Sequence, residues 1–230
     1  LFLVNVATGK VRAFRDLRGT EPSAAPAAGK VAYVRFTTIV PGTAKNRNTP
    51  TIRESLKTLS LTGKGGGRTV WSEQYQLFAD YRAFSEPRVS PDGAWFLTGM
   101  TGSDVRVTYA IRDRNGYPAL TLFTPAIQAG AGWDASGRRT AFAGVIDAIG
   151  DSTACVWVYD TVAGSLTRSP HGLLGDKMIE RLAWSPAGAL VACAWVWNGS
   201  TSTRHVVVLP GDLSTATDLG RGRLPVWIRL

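Results

Sequence analysis

The stretch SEPRVSPDGAWFLTG, residues 85–99, sets a four-residue break, Ser90-Pro91-Asp92-Gly93, between two short runs that read as strands. Proline pre-sets φ, the Ser or Asp side chain caps the turn, and glycine supplies a positive φ. The run that follows, residues 94–98, alternates as a strand does. The stretch predicts a hairpin with a buried first strand and a half-exposed second one. A single copy would make one hairpin, whereas a recurring copy would define the fold.

It recurs. Around Gly137 the chain reads AGWDASGRRTAFAG, around Gly188 LAWSPAGALVACAW, and around Gly29 an eroded copy reads AAPAAGKVAYVRF. A fifth start stands at Pro225-Val226-Trp227-Ile228. Successive turn glycines lie 64, 44 and 51 residues apart, so the unit is fixed and its loops vary.

A second hairpin follows each copy. Residues 56–61 lead through a glycine-rich link into 68–72, 107–111 into 119–124, 155–159 into 165–168, and 205–209 into 216–219. Another opens the chain, with 1–6 leading through Ala7-Thr8-Gly9-Lys10 into 11–14. Four strands in roughly 40 to 50 residues is the pattern of a β-propeller blade. The expected fold is all-β: one propeller domain over residues 1–230, five-bladed as seen, or six- or seven-bladed if the chain is truncated. Four blades are complete, and the N- and C-terminal strands pair to close the fifth and remove exposed edges.

Bulk properties agree. Hydrophobic residues make up 44% of the 230 and aromatics 10%, enough for a packed core and too much for a disordered chain. The 25 glycines and 12 prolines imply frequent turns. A net charge of +9 could draw polyanions, but the basic residues are scattered through turns rather than run together, so nucleic acid is not the expected partner. Cys155 and Cys193 sit in apolar contexts and read as buried free thiols, with a disulfide as the alternative. No apolar run approaches 18 residues, so no membrane insertion is expected of this segment. A start at Leu1 inside an apparent strand suggests that an upstream piece has been removed.

The Ser90-Pro91-Asp92-Gly93 turn, the Trp184-Ser185-Pro186-Ala187-Gly188 copy and the hairpin CVWVYDTVAGSLTR at 155–168 resemble the WD40-like PD40 repeats of TolB-type propellers. The resemblance covers nearly the whole chain. It departs from the pattern at Ala27-Ala28, at Asp134-Ala135-Ser136 and at Ala187, where the Pro-Asp pair is partly lost. LVNVATGKV also looks like the hairpin of YVTN-type propellers. What the likeness implies is an extracytoplasmic scaffold, secreted or membrane-tethered; it transfers no catalytic residue.

Catalytic and metal motifs are scarce. No Gly-x-Ser-x-Gly elbow is present, and Gly150-Asp151-Ser152 reads as a turn. His171 and His205 share no ligand spacing with the cysteines, so neither a metal nor a cofactor is expected. Lys64-Gly65-Gly66-Gly67-Arg68 lacks the Gly-Lys-Ser/Thr that opens a phosphate-binding helix. The turn carboxylates Asp92, Asp134, Asp160 and Asp212 each have a local capping role. An enzyme acting on a carbohydrate or small polar substrate would need two of them across a pocket.

Two binding candidates remain. One is the polar, basic insertion at 41–51, with Lys45, Arg47 and Asn48. The other is Trp195-Val196-Trp197, whose alternation puts both indoles on one face, either between blades or as an exposed anchor. The expected role is non-catalytic binding of a protein or peptide.

Overall fold

The computed structural model describes residues 2–4, 8–13, 20–25, 29–40, 50–61, 67–76, 82–102, 107–124, 132–148, 151–198 and 200–222. A two-stranded pair, β1 (Phe2–Val4) and β2 (Val11–Ala13), comes first. Four four-stranded antiparallel sheets follow. The first holds β3 (Thr20–Ala25), β4 (Lys30–Val40), β5 (Thr51–Ser60) and β6 (Arg68–Gln76). The second holds β7 (Arg82–Val89), β8 (Trp95–Gly102), β9 (Val107–Asp113) and β10 (Pro118–Thr124). The third holds β11 (Gly132–Trp133), β12 (Arg139–Ala148), β13 (Asp151–Asp160) and β14 (Ser165–Arg168). The fourth holds β15 (Met178–Trp184), β16 (Leu190–Asn198), β17 (Thr201–Leu209) and β18 (Thr217–Arg221). Each sheet is a meander in chain order, as the repeat predicts.

The turns form for the expected reason. Gly93 has φ +67° and its amide donates to Ser90 O at 2.8 Å; the copies Gly29, Gly137 and Gly188 sit at +59°, +74° and +84°. The fourth copy departs by one residue. Ser90 N bonds Trp95 O and Asp134 N bonds Arg139 O, but Ser185 N bonds Ala189 O, so the carbonyl that closes the turn lies one residue closer to its glycine. Aligning the copies on glycine therefore misplaces the faces of β16 by one. The pairings Val89↔Phe96, Trp133↔Thr140 and Trp184↔Leu190 give the correct equivalence.

The burial expected for the hairpin is reversed. Second strands are the buried ones: Phe96 to Gly99, Thr140 to Gly144 and Leu190 to Ala194 are all inaccessible, whereas β15 has exposed or partly exposed residues along its length. Within its sheet a second strand is flanked on both edges by strands, whereas a first strand has one open edge. His205, expected to begin a strand, lies in the middle of β17.

Three apolar layers lie between consecutive sheets. Ala25, Ala32 and Leu56 meet Val89 and Phe96; Leu97, Tyr109 and Ile111 meet Phe142, Cys155 and Trp157; Ala141, Ala143 and Val156 meet Ala192, Ala194 and Val207. Cys155 and Cys193 are buried thiols, not joined in a disulfide. Burial raises the pKa of the Cys155 thiol, against a lowering hydrogen bond with Ser169. Among the described residues, no helix is long and apolar enough to cross a membrane.

Candidate functional site

The first strands β3, β7, β11 and β15 stand side by side, each hydrogen-bonded to its own sheet on one edge only. Two indoles tie them across sheets. Trp133 Nε1 donates to Arg88 O at 3.0 Å, and Trp184 Nε1 donates to Gly132 O at 3.0 Å. Both indoles belong to the residue four before the turn glycine, and both acceptors to the residue five before it in the preceding sheet. At the corresponding place in the second sheet stands Val89, whose amide donates to Ser23 Oγ at 3.3 Å. Neither Trp133 nor Trp184 was a binding candidate from the sequence, although both stand four residues before a turn glycine.

Between β3, β7 and β11 lies a depression of about 200 Å³. Ala24, Ala25, Val89, Pro91 and Trp133 make it apolar, and Ser23, Arg88 and Gly132 bring polar atoms to its wall. Drug-sized ligands occupy pockets of roughly 300–1,000 Å³, so this one suits a side chain or two of a larger partner.

Trp195 and Trp197 do share a face, on the fourth sheet. Ala192 and Ala194 pack towards the third sheet, so Cys193, Trp195 and Trp197 point the other way. Trp197 is 53% exposed and Met178, across from Trp195, is 39% exposed. The Arg204 guanidinium lies 3.9 Å over the Trp195 ring while its Nε donates to Glu180 Oε2 at 2.6 Å. That bond from Arg204, against the opposing effect of burial, holds Glu180 below the usual carboxylate range. Beside them a shallow depression of about 380 Å³ is lined by Ser202, Thr203, Arg221 and Gly222. Lys45, Arg47 and Asn48 lie outside the described residues; Val40 and Thr51, which flank their insertion, pair at the end of the first sheet remote from Gly29.

The turn carboxylates are engaged locally. Asp92 accepts from Ser90 Oγ and from Ala94 N at 3.0 Å. Burial raises the pKa of Asp134, but donors from Ser136 and Arg139 outweigh it and hold the group low. Asp160 is brought down to about 2, chiefly by the hydrogen bond from Arg138. Ser214 does the same in direction for Asp212, first through its backbone amide. A general acid near neutral pH needs the opposite shift. His205 Nδ1 lies 3.0 Å from Asp218 Oδ2, with Lys177 Nζ at 3.6 Å from the same oxygen. Among the described residues, no group of three or more His, Cys, Asp or Glu is arranged to hold a metal.

No family model matches the chain, and no curated protein matches it in sequence. Solved structures do. The β-propeller domain of the Trilobed protease from Pyrococcus furiosus superposes with a TM-score of 0.55 at 11% identity, over 88% of this chain and 57% of that one. TolB from Acinetobacter baumannii gives 0.50 at 16% identity, over 97% and 49%. The Pyrococcus horikoshii acylaminoacyl peptidase gives 0.52 at 12%, over 87% and 32%. The fold is a TolB-like β-propeller. Its sheets are blades, and the tied first strands are the inner strands of the propeller. The chain spans less than two thirds of each of these proteins, which include TolB and peptidases, and at such identities the likeness speaks for the fold alone.

Proposed function

We propose that the chain is a non-catalytic propeller scaffold that binds a protein or peptide partner outside the cytoplasm, as part of a secreted or membrane-tethered protein. The observation that carries this reading is the apolar depression shared by three inner strands, walled by Trp133, Val89 and Pro91 and too small for a free-standing ligand. A partner inserting one apolar side chain there would find backbone polar groups of open strand edges around it. We take the four described sheets as four of five blades, with β1 and β2 in the fifth. The insertion with Lys45, Arg47 and Asn48 is a second proposed contact.

The test is selection of binders from a displayed peptide library, followed by titration against the chain and its Ala24→Arg variant. Ala24 is exposed at the depression, so the arginine fills it without entering the core. The expected result is at least about tenfold weaker binding, or 1.4 kcal/mol, with an unchanged circular dichroism spectrum. Unaltered affinity would remove the depression from the reading. Turnover of a peptide or glycan by the isolated chain, abolished by one substitution, would make it an enzyme.

A further inference from the structure

Trp133 and Trp184 take the same place in two successive interfaces between blades, each indole N–H donating to a carbonyl of the preceding first strand. The acceptors Arg88 and Gly132 pair with Leu97 and Ala141, each the third residue of its second strand and each packed on the next blade. In the first blade the residue so placed is Ser23. It pairs with Ala32, the third residue of β4, which packs on the second blade. Facing Ser23, at the position of the two tryptophans, stands Val89, whose amide reaches Ser23 Oγ and whose side chain carries no donor for the Ser23 carbonyl. The depression of about 200 Å³ lies against these residues, with Ser23, Ala24 and Ala25 on one wall and Val89 and Pro91 on another.

We infer that the depression takes a tryptophan side chain of the partner, seated as Trp133 and Trp184 are seated, its indole N–H donating to the Ser23 carbonyl. The inference rests on the peptide-binding reading above and names the residue that the partner inserts. The two ties are the argument for this occupant, because the same strand arrangement accepts an indole twice within the chain. A carbonyl so placed takes a second donor: Gly132 O accepts from both Trp184 Nε1 and Thr140 Oγ1 at 3.0 Å. A Cβ beneath the ring is tolerated as well. One built on Gly132 would meet Trp184 Cδ1 at 4.0 Å, an ordinary contact, so the Cβ of the equivalent Ser23 clears an incoming indole. Trp133 lines the far wall, where a second ring gains the offset or edge-on contact that aromatic pairs favour. Phenylalanine would offer the ring but leave the carbonyl without its donor.

The test uses the full chain labelled with ¹³C-carbonyl serine and ¹⁵N-alanine, which single out the Ser23–Ala24 peptide group because no other serine in the chain precedes an alanine. N-acetyl-tryptophanamide, added up to about 10 mM, should move that resonance saturably. Its benzothienyl analogue, the same ring system with sulfur in place of the N–H, should bind about fivefold more weakly, the loss of one hydrogen bond. Val89→Trp, which supplies the indole from the chain itself, should abolish the movement. A resonance unmoved by N-acetyl-tryptophanamide, equal affinity for the two compounds, or unchanged binding in a folded Val89→Trp variant would each overturn the inference. The first two are read on the chain with no substitution, so they decide the matter if the variant fails to fold. Selected peptides separate the inference from the reading beneath it. Peptides that lose affinity in the Ala24→Arg variant but contain no tryptophan, or keep their affinity when it becomes phenylalanine, would leave the peptide site standing and overturn the tryptophan. Peptides indifferent to Ala24→Arg would remove the peptide site, and the inference with it, whatever the two compounds show.

Discussion

Trp184 donates its indole N–H to Gly132 O in the neighbouring blade at 3.0 Å, and the same oxygen accepts from Thr140 Oγ1 at 3.0 Å. One carbonyl thus joins an inner strand to its own second strand and to the next blade. Trp184→Phe keeps most of the ring and removes one donor, which should cost about 1 kcal/mol. Thr140→Val removes the other. The double variant should lose more than the two single losses together, because the oxygen is then left without either partner. Urea denaturation followed by circular dichroism measures all three; simple additivity would show that the carbonyl is hydrated once one donor goes.

The second and third blades close their turns with the same pair of groups in exchanged places. Ser90 Oγ donates to Asp92 Oδ1, whereas Ser136 Oγ donates to Asp134 Oδ1 at 2.7 Å. The apparent decay of the Pro-Asp motif at Asp134-Ala135-Ser136 is therefore a swap that preserves the hydrogen bond. Asp134 takes on an extra duty, bonding Arg139 Nε at 3.0 Å, and Arg139 in turn lies over Trp184. Asp134→Ser alone should destabilise, and adding Ser136→Asp should recover part of the loss by rebuilding the second-blade turn. Recovery should stop short of the wild type, because the Arg139 bond is not restored. Equal stability of the single and double variants, from thermal melts, would mean that the turn pair contributes nothing.

Turn glycines and paired hairpins were legible in the sequence because a positive φ and an alternating strand each demand particular residues locally. Burial was not, since it depends on which strand of a sheet stands between two others. Phe96 and Phe142 are buried for that tertiary reason. The shared face of Trp195 and Trp197 followed from alternation alone, but which neighbour it meets required knowing that Ala192 and Ala194 face the third blade. Trp133 and Trp184 went unread as ties because a hydrogen bond from an indole to a carbonyl about 50 residues away leaves no local mark.

Gly116 separates conformational from steric demand. It sits at φ +90° in the β9–β10 turn, and a Cβ there would run into the carbonyl oxygen of Val70 in the first blade. Gly9, at φ +66°, has nothing within 4 Å of the same position. Gly9→Ala should cost only the left-handed backbone penalty, about 1–2 kcal/mol. Gly116→Ala should cost clearly more and should loosen the contact between the first two blades, where Arg112 covers Trp71 at 3.9 Å. Comparable denaturation midpoints for the two variants would show that the second blade moves away without penalty.

Asp160 supplies the sign of an acid-side instability. Arg138 Nε and Nη2 both reach Asp160 Oδ2 at 2.8 Å, and the amides of Val162 and Ala163 add to the depression of its pKa to about 2. A carboxyl with a folded pKa below its unfolded value binds fewer protons when folded, so it stabilises the fold at any pH above the unfolded value. That contribution declines as pH falls from the ordinary aspartate value of about 3.9 towards the folded value near 2. Arg138→Ala should raise the Asp160 pKa and flatten the fall in melting temperature across this window. Because Arg138 is largely solvated, added salt should shrink the difference between variant and wild type. A steeper acid loss in the variant, or a difference that grows with salt, would show that Arg138 does not set the ionisation of Asp160.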